Sequence, residues 1–408
     1  MRIRVLVGAV IGFLVAGCGT PVVRNALPEE YHLEATVLDG EHQYRYWGGG
    51  DGISDHPLEA FTLDDPGRYA GIMHQEHNYL ILSGGGANGA YGAGVLKAWS
   101  DLGTRPEFTF VTGISTGALT APLAFLGSDF DDDLEELYTT LQTSDLIAEK
   151  GFWDIVRGDG VVDTTPLLNK LEQVIDDQVI QALAREYERG RTLSVGTTNL
   201  DAGRPVVWNI TRMAASGHPQ APDLIRRVLL ASASIPGAFP PVYIPVQTAD
   251  GAGFDEMHVD GGATSQMFFY PASVNWSKLE EALDVKGRPN VFIIRNAWLD
   301  PDYEAVDPRL LPIAGRTINS LIRTQGIGDF YRMWSLAERD KLNVSVTWIP
   351  RDAKQAINVE PTEAFDPKYM KAMFDYAYRR TIDGETWFDA PHIKATGERL
   401  GMGERQDP

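Results

Sequence analysis

The feature that most restricts what this 408-residue chain can fold into is an abrupt change of texture between Asn78 and Trp99. The apolar run Tyr79-Leu80-Ile81-Leu82 is short and does not alternate, so it reads as a strand buried on both faces. It breaks directly into Ser83-Gly84-Gly85-Gly86-Ala87-Asn88-Gly89, and a helical pattern takes over from Tyr91 to Trp99. A strand buried on both faces needs helices above and below it, and the rest of the chain supplies them. Phe108 to Thr112 reads as a second strand and Ala118 to Leu126 as an apolar helix. Leu167 to Arg189 reads as an amphipathic helix and Arg191 to Thr198 as a strand, after which Asn199 to Gly203 turns the chain into Val206 to Ile210. Asn290 to Arg295 and Val344 to Ile349 are further strands, and Pro367 to Arg380 is a late helix. This alternation predicts an α/β fold of three layers, a central, mostly parallel sheet flanked by helices, in one domain over residues 76–389.

Charge narrows the partners. With 36 basic against 56 acidic residues, the net charge of -20 lacks the basic face that neutralises phosphates, so no nucleic-acid partner is expected. Loose adsorption of the whole molecule to anionic lipid is disfavoured for the same reason. The acidic stretch Asp129 to Lys150 reads as a helix. Its run Asp131-Asp132-Asp133 lacks the Gly and terminal Glu spacing of a calcium loop, so it reads as a solvated helix start that suits the helix dipole. No metal site and no organic cofactor are expected.

Cys18 is the single cysteine, which excludes an intrachain disulfide and a cysteine-rich zinc site. Its setting gives it another meaning. Arg2 and Arg4 precede an apolar run from Val5 to Val15, shorter than the ~20 residues of a membrane-spanning helix, so residues 1–17 read as a signal peptide. The run closes on Leu14-Val15-Ala16-Gly17-Cys18, which resembles the bacterial lipobox. The resemblance implies lipidation of Cys18 and anchoring in the bacterial cell envelope, and Gly19 in place of Asp points to the outer membrane. Residues 18–75, rich in Gly, Pro, Asp and His, read as a tether or loosely packed arm, and residues 390–408 as a tail.

Three constellations carry chemistry. In the glycine loop, backbone without Cβ can turn sharply and aim several N–H groups at one point, with a helix start behind them. The same spacing also fits a dinucleotide fingerprint, with Asp101 placed near where a ribose-binding acid would lie, although a secreted chain is a poor setting for such cofactors. Gly113-Ile114-Ser115-Thr116-Gly117, again between strand and helix, has the form of a nucleophile elbow. Ser115 then needs a base. The downstream histidines are His218, in a surface-turn sequence, His258, and His392, beyond the last expected core element. His258 opens Met257-His258-Val259-Asp260-Gly261-Gly262, a short strand ending in an acid and two glycines.

Taken in order, Gly84 to Gly89, Gly113 to Gly117 and Asp260-Gly261-Gly262 resemble the glycine-rich loop, elbow and aspartate-glycine motif of the patatin-like phospholipases. Ala231 to Pro241 is similar to the segment that precedes the aspartate in that family, and the resemblance covers roughly residues 77–270. It implies acyl-ester hydrolysis on membrane lipid by a Ser-Asp dyad, with Ser115 as nucleophile and Asp260 as proton acceptor. The oxyanion hole would come from Gly84, Gly85, Gly86 and Ala87, and the motif glycines Gly89, Gly113, Gly117, Gly261 and Gly262 would shape the turns. One departure is Asn88, where the family usually has Arg or Lys. Two rivals stand beside this reading: an α/β-hydrolase lipase with a Ser-Asp-His triad, and an inactive patatin-like scaffold that binds lipid.

Overall fold

The computed structural model describes residues 24–38, 44–48, 66–149, 162–236, 238–300, 303 and 305–389. Cys18, the expected signal peptide, His392 and the expected tail lie outside the described residues. In chain order the elements that build the domain are β1 (Arg45–Trp47), β2 (Asn78–Leu82), α1 (Gly89–Asp101), β3 (Phe110–Ile114), α2 (Thr116–Leu126), α3 (Asp131–Thr139), α4 (Thr165–Val174) and α5 (Asp177–Glu188). They continue with β4 (Thr192–Asn199), β5 (Arg204–Asn209), α6 (Ala221–Ser232), β6 (Val242–Gln247), β7 (Gly253–Asp260), β8 (Asn290–Trp298), α7 (Leu310–Arg339), β9 (Asn343–Ile349), α8 (Pro367–Ile382) and β10 (Phe388–Asp389).

The strands join one mixed sheet in the order β1-β5-β4-β3-β2-β8-β9-β10. The five central strands, β4 to β9 in that order, are mutually parallel. Alternation along β2 shows why both faces must be covered. Leu80 and Leu82 enter one core with α1, α2, α6 and α8, whereas Tyr79 and Ile81 enter a second core with Phe269, Trp276 and the C-terminal half of α7. The expected three-layer α/β architecture is what the chain adopts.

Register positions the site. β3 pairs with β4 from Phe110–Thr192 to Ile114–Gly196 and then leaves the sheet, while β4 runs on to Asn199. The other side of β4 is taken by β5. The slot that β3 vacates is filled from the opposite direction by β7, through Thr197–Asp260, Thr198–Val259 and Asn199–His258. The ends of β3 and β7 therefore face one another along β4.

Several sequence expectations change. Leu167 to Arg189 is two helices, because Asp176 is extended and its carboxylate caps the amides of Gln178 and Val179. The acidic stretch is a helix only from Asp131 to Thr139, followed by a short turn of helix at Thr143–Leu146. Its first carboxylate is not solvated: Asp131 is buried and pairs with Arg105 at 2.7 Å. Part of the expected arm is also packed. Ala35, Val37 and Tyr44 join the core, and β1 extends the sheet edge on β5, a three-residue strand too short to show a period.

Arg45 of β1 fixes this edge. It forms a two-point ion pair with Glu256 of β7, one contact at 2.9 Å, and also donates to the Ala35 carbonyl. Both side chains are almost fully buried. Burial alone would raise the Glu256 pKa, but Arg45 and His258 outweigh it and hold the carboxyl down at about 2. A buried carboxylate stripped of its partner is costly, so Arg45→Met should lower unfolding stability by about 3–5 kcal/mol in urea titration. Adding Glu256→Leu should recover much of that loss, because it removes the stranded charge.

Candidate active site

Ser115 sits between β3 and α2 with φ 56°, a left-handed conformation that costs an ordinary residue about 1–3 kcal/mol. The turn is tight because two glycines let it be. A Cβ at Gly113 would lie 2.4 Å from the Gly117 carbonyl oxygen, and one at Gly117 would lie 2.5 Å from that of Leu82. The strained residue is tied down on all sides. Its amide donates to Ser232 Oγ at 3.0 Å, and its carbonyl accepts from the amides of Ala118 and Leu119. Ser232 in turn donates to the Gly196 carbonyl at 2.6 Å, so the end of α6 pins the elbow to β4. Tyr138 of α3 holds the next residue, its hydroxyl bonding both the side chain and the carbonyl of Thr116.

Asp260 ends β7 directly opposite. Ser115 Oγ donates to Asp260 Oδ2 at 2.6 Å, and the Gly262 amide donates to Oδ1 at 2.6 Å. Asp260 is 5% exposed. Dehydration raises its pKa to about 6, against the lowering effect of those two hydrogen bonds. Gly261 and Gly262 have no room for a side chain, since a Cβ would meet the Gly196 carbonyl at 2.5 Å or Asp260 Oδ1 at 2.9 Å. The Ser115-Asp260 geometry is therefore built from backbone as much as from side chains.

The glycine loop closes over the pair. Gly84 packs on Ser115, but its amide is already given to the Gln266 carbonyl at 3.3 Å. The amides of Gly85, Gly86 and Ala87 have no protein acceptor among the described residues, which leaves them, rather than Gly84, as donors for an oxyanion. Gly85 lies against Asn296, with only 2.2 Å from an ideal Cβ to the Asn296 carbonyl oxygen. Behind the loop α1 begins at Gly89, close against Thr116 at the start of α2, so two helix N-termini converge here. Asn88 is held by the Tyr369 hydroxyl, which donates to its Oδ1 at 2.6 Å.

Two supporting residues carry no sequence signal. Asn296, at the C-terminal end of β8, donates its amide to Ser83 Oγ and its side-chain Nδ2 to the Ser83 carbonyl, and accepts from the Gly92 amide. Gln266 donates its Nε2 to the Gly262 carbonyl at 2.7 Å, and its own amide donates to Asp329 of α7 at 2.7 Å. The segment Ala231 to Pro241 was recognisable in sequence, but nothing there singled out Ser232 as the bridge.

No described histidine reaches Ser115. His258 is fully buried, its Nδ1 at 2.9 Å from Thr197 Oγ1 and its Nε2 at 3.1 Å from Glu256, and burial lowers its pKa. His218 precedes α6, where its Nδ1 accepts from the Gln220 amide. Asp101, the candidate ribose ligand, pairs with Lys97 at the far end of α1.

Part of this chain is similar to known proteins. Residues 80–273 match the family model described as patatin-like phospholipase. A cUMP-AMP-activated phospholipase of Escherichia coli is 33% identical over 129 residues, which is 26% of this chain and 40% of that one. A patatin-like phospholipase domain-containing protein of Aspergillus clavatus is 28% identical over 205 residues, 48% of this chain and 27% of its relative. The chain thus spans between about a quarter and two fifths of these relatives' length. Among solved structures, VipD from Legionella pneumophila aligns over 78% of this chain and 69% of its own at 17% identity, with a TM-score of 0.36. The type III effector ExoU aligns over 78% and 58% at 14% identity, with a TM-score of 0.30.

A carboxyl acting as base must be ionised, and burial raises the pKa of this one. If Asp260 serves Ser115 as base, catalytic efficiency on a soluble ester should climb with pH through a midpoint of about 6. The same shift has a stability cost. Because the folded pKa lies above the unfolded one, ionising Asp260 destabilises the fold as pH rises through that midpoint. Asp260→Asn should then raise unfolding stability by up to about 3 kcal/mol at about pH 8, a gain that fades below about pH 4. Thermal melts of the two proteins across pH give the check.

Proposed function

We propose that this chain, whose residues 80–273 form a patatin-like phospholipase domain, is a lipid acyl hydrolase that works through a Ser115-Asp260 dyad. The observation that carries the reading is the 2.6 Å hydrogen bond from Ser115 Oγ to a buried, dehydrated Asp260 beneath a loop whose amides have no acceptor among the described residues. Asp260 takes the Ser115 proton as Oγ attacks the acyl carbonyl, and the oxyanion forms against the amides of Gly85, Gly86 and Ala87. Collapse of that intermediate releases the alcohol, which leaves with the proton from Asp260. Water then enters and attacks the acyl carbon as Asp260 takes its proton; collapse breaks the bond to Ser115 Oγ, Asp260 returns the proton to Oγ, and the fatty acid is released. The family match supports ester-linked acyl chains of phospholipids or related lipids as the substrate class.

Asp260 serves better than a histidine here because the nearest buried imidazole, His258, is committed to Thr197 and Glu256. An inactive scaffold is the less favoured reading, since strain at Ser115 and dehydration of Asp260 are costs that binding alone does not require. Removing the base should lower turnover of a soluble short-chain ester by about 10²–10⁴-fold in Asp260→Ala, and Ser115→Ala should abolish it. A fluorophosphonate probe should label the unaltered protein and not Ser115→Ala. Near-normal turnover by Asp260→Ala would overturn the dyad.

The lipobox-like sequence supports a place for this activity: a chain acylated at Cys18 and held in the bacterial envelope, with the outer membrane favoured by Gly19. Metabolic labelling with palmitate should incorporate into the chain and be lost in Cys18→Ser.

A further inference from the structure

α7 is longer than the sheet it packs on. Its 30 residues span about 45 Å, while the nine residues of β8 before it span about 30 Å. The helix runs antiparallel to the strands, between the C-terminal end of β8 and the N-terminal end of β9. Its seated half begins at Gly326, where a Cβ would come within 2.3 Å of the Arg295 guanidinium, and continues through the buried Phe330, Met333 and Ala337. Residues 310–325, about 24 Å of helix, therefore project past the C-terminal edge of the parallel strands, the edge at which Ser115 sits.

The projecting half has an unusual surface. Ile318 is 52% exposed and Leu321 65%, and with the exposed Ile322 they follow i, i+3, i+4 spacing on one side. Ile313 and, just before the helix, Tyr303 are exposed as well. Its charge is also inverted. In a chain with 56 acidic residues, none falls between Pro308 and Gly328, and the charges in that span are Arg309, which pairs with Asp307 just before it at 2.8 Å, Arg316 and Arg323. Among the described residues no helix is long and apolar enough to cross a membrane; an exposed apolar side flanked by basic residues is the pattern of helices that lie in a membrane interface.

We infer that the projecting half of α7 is an interfacial helix that seats this end of the molecule on a bilayer containing anionic phospholipid, with its apolar side in the acyl boundary. The inference rests on the lipid acyl hydrolase reading and names how that site meets its substrate. Charge sets the pose: the molecule as a whole is repelled by an anionic surface, whereas the projecting half, with Arg309 paired to Asp307 at its start, carries Arg316 and Arg323 and no carboxylate of its own. The base of the helix is joined to the site, since Asp329 accepts from the amide of Gln266, whose side chain holds Gly262 beside Asp260.

The full chain with Cys18→Ser has no other cysteine, so Leu321→Cys places one environment-sensitive bimane label on the projecting half. In a Ser115→Ala background, which uncouples the readout from catalysis, vesicles of phosphatidylglycerol and phosphatidylcholine should shift its emission to the blue. A label at the exposed Ser335 on the seated half should not shift. Ile318→Asp with Leu321→Asp should lower hydrolysis of phospholipid in those vesicles by about tenfold or more, with turnover of a soluble short-chain ester unchanged. Unchanged ester turnover also reports that the variant folds. No shift at position 321, or equal loss on vesicles and soluble ester, overturns the inference. So does a protein that is dimeric in solution and becomes monomeric in the double variant while its vesicle hydrolysis is retained, because the face then belongs to a second copy. Loss of soluble ester turnover in Ser115→Ala bears on the dyad alone, and the label shift on the helix alone.

Discussion

The site depends on one constraint of sheet geometry: β4 outruns β3. When β3 leaves the sheet at Ile114, the backbone of β4 from Thr197 to Asn199 would be left with unpaired groups in the interior, a cost the fold must remove. β7 removes it by entering the same slot from the opposite end. Two strand ends that are 145 residues apart in sequence are thereby brought nose to nose, and the side chains at those ends are Ser115 and Asp260. The pairing Thr197–Asp260 next to Ile114–Gly196 sets the separation, and a slip of one residue would turn Asp260 to the other face of the sheet. Ser232 then satisfies what remains, spanning the Ser115 amide and the Gly196 carbonyl.

Costs collect at this junction. Ser115 has a backbone conformation that its neighbours must enforce, Asp260 is dehydrated, and the amides of Gly85, Gly86 and Ala87 have no protein acceptor among the described residues. Each would relax if the surroundings were soft. The surroundings are the five parallel strands with cores on both faces, and the loop over the site is held by Asn296 through Ser83 and by the Gln266 carbonyl, which accepts from the Gly84 amide. A rigid frame keeps the donors aimed at a point instead of turning toward water, which is what makes preorganised amides effective.

The residues at the junction were legible in the sequence because they are constrained by backbone rather than by packing. A strand that turns sharply into a helix around a serine needs glycines on both sides, and Gly113 and Gly117 are dictated by clearances of about 2.5 Å. The buried strands were legible for the same kind of reason, as short apolar runs between turns. What escaped was decided by single side chains. Asp176 splits a continuous amphipathic pattern because its carboxylate offers a cap in mid-run, and Arg45 gives three residues of the arm a place on the sheet. Asn296 and Gln266 act through hydrogen bonds to distant backbone, which no local spacing announces. The projecting half of α7 is apolar and exposed, so the pattern by which sequence reveals helices, apolar toward the core, is inverted there.

Asn88 shows how the electrostatics of the site are balanced. A basic residue at this position, as the resemblance leads one to expect, would favour an oxyanion on the loop beside it. It would favour the Asp260 carboxylate by the same Coulomb attraction, and a carboxylate so stabilised is a weaker base. With the neutral Asn88 fixed by Tyr369, the Asp260 pKa is set by burial and two hydrogen bonds, with no neighbouring charge drawing it down from about 6. In the proposed mechanism positive potential still reaches the oxyanion from the N-termini of α1 and α2 and from the amides that have no protein acceptor among the described residues, sources that act at short range on the loop itself. Under the proposed dyad, Asn88 in place of a cation shifts the burden from stabilising the product of attack toward strengthening the base that enables it.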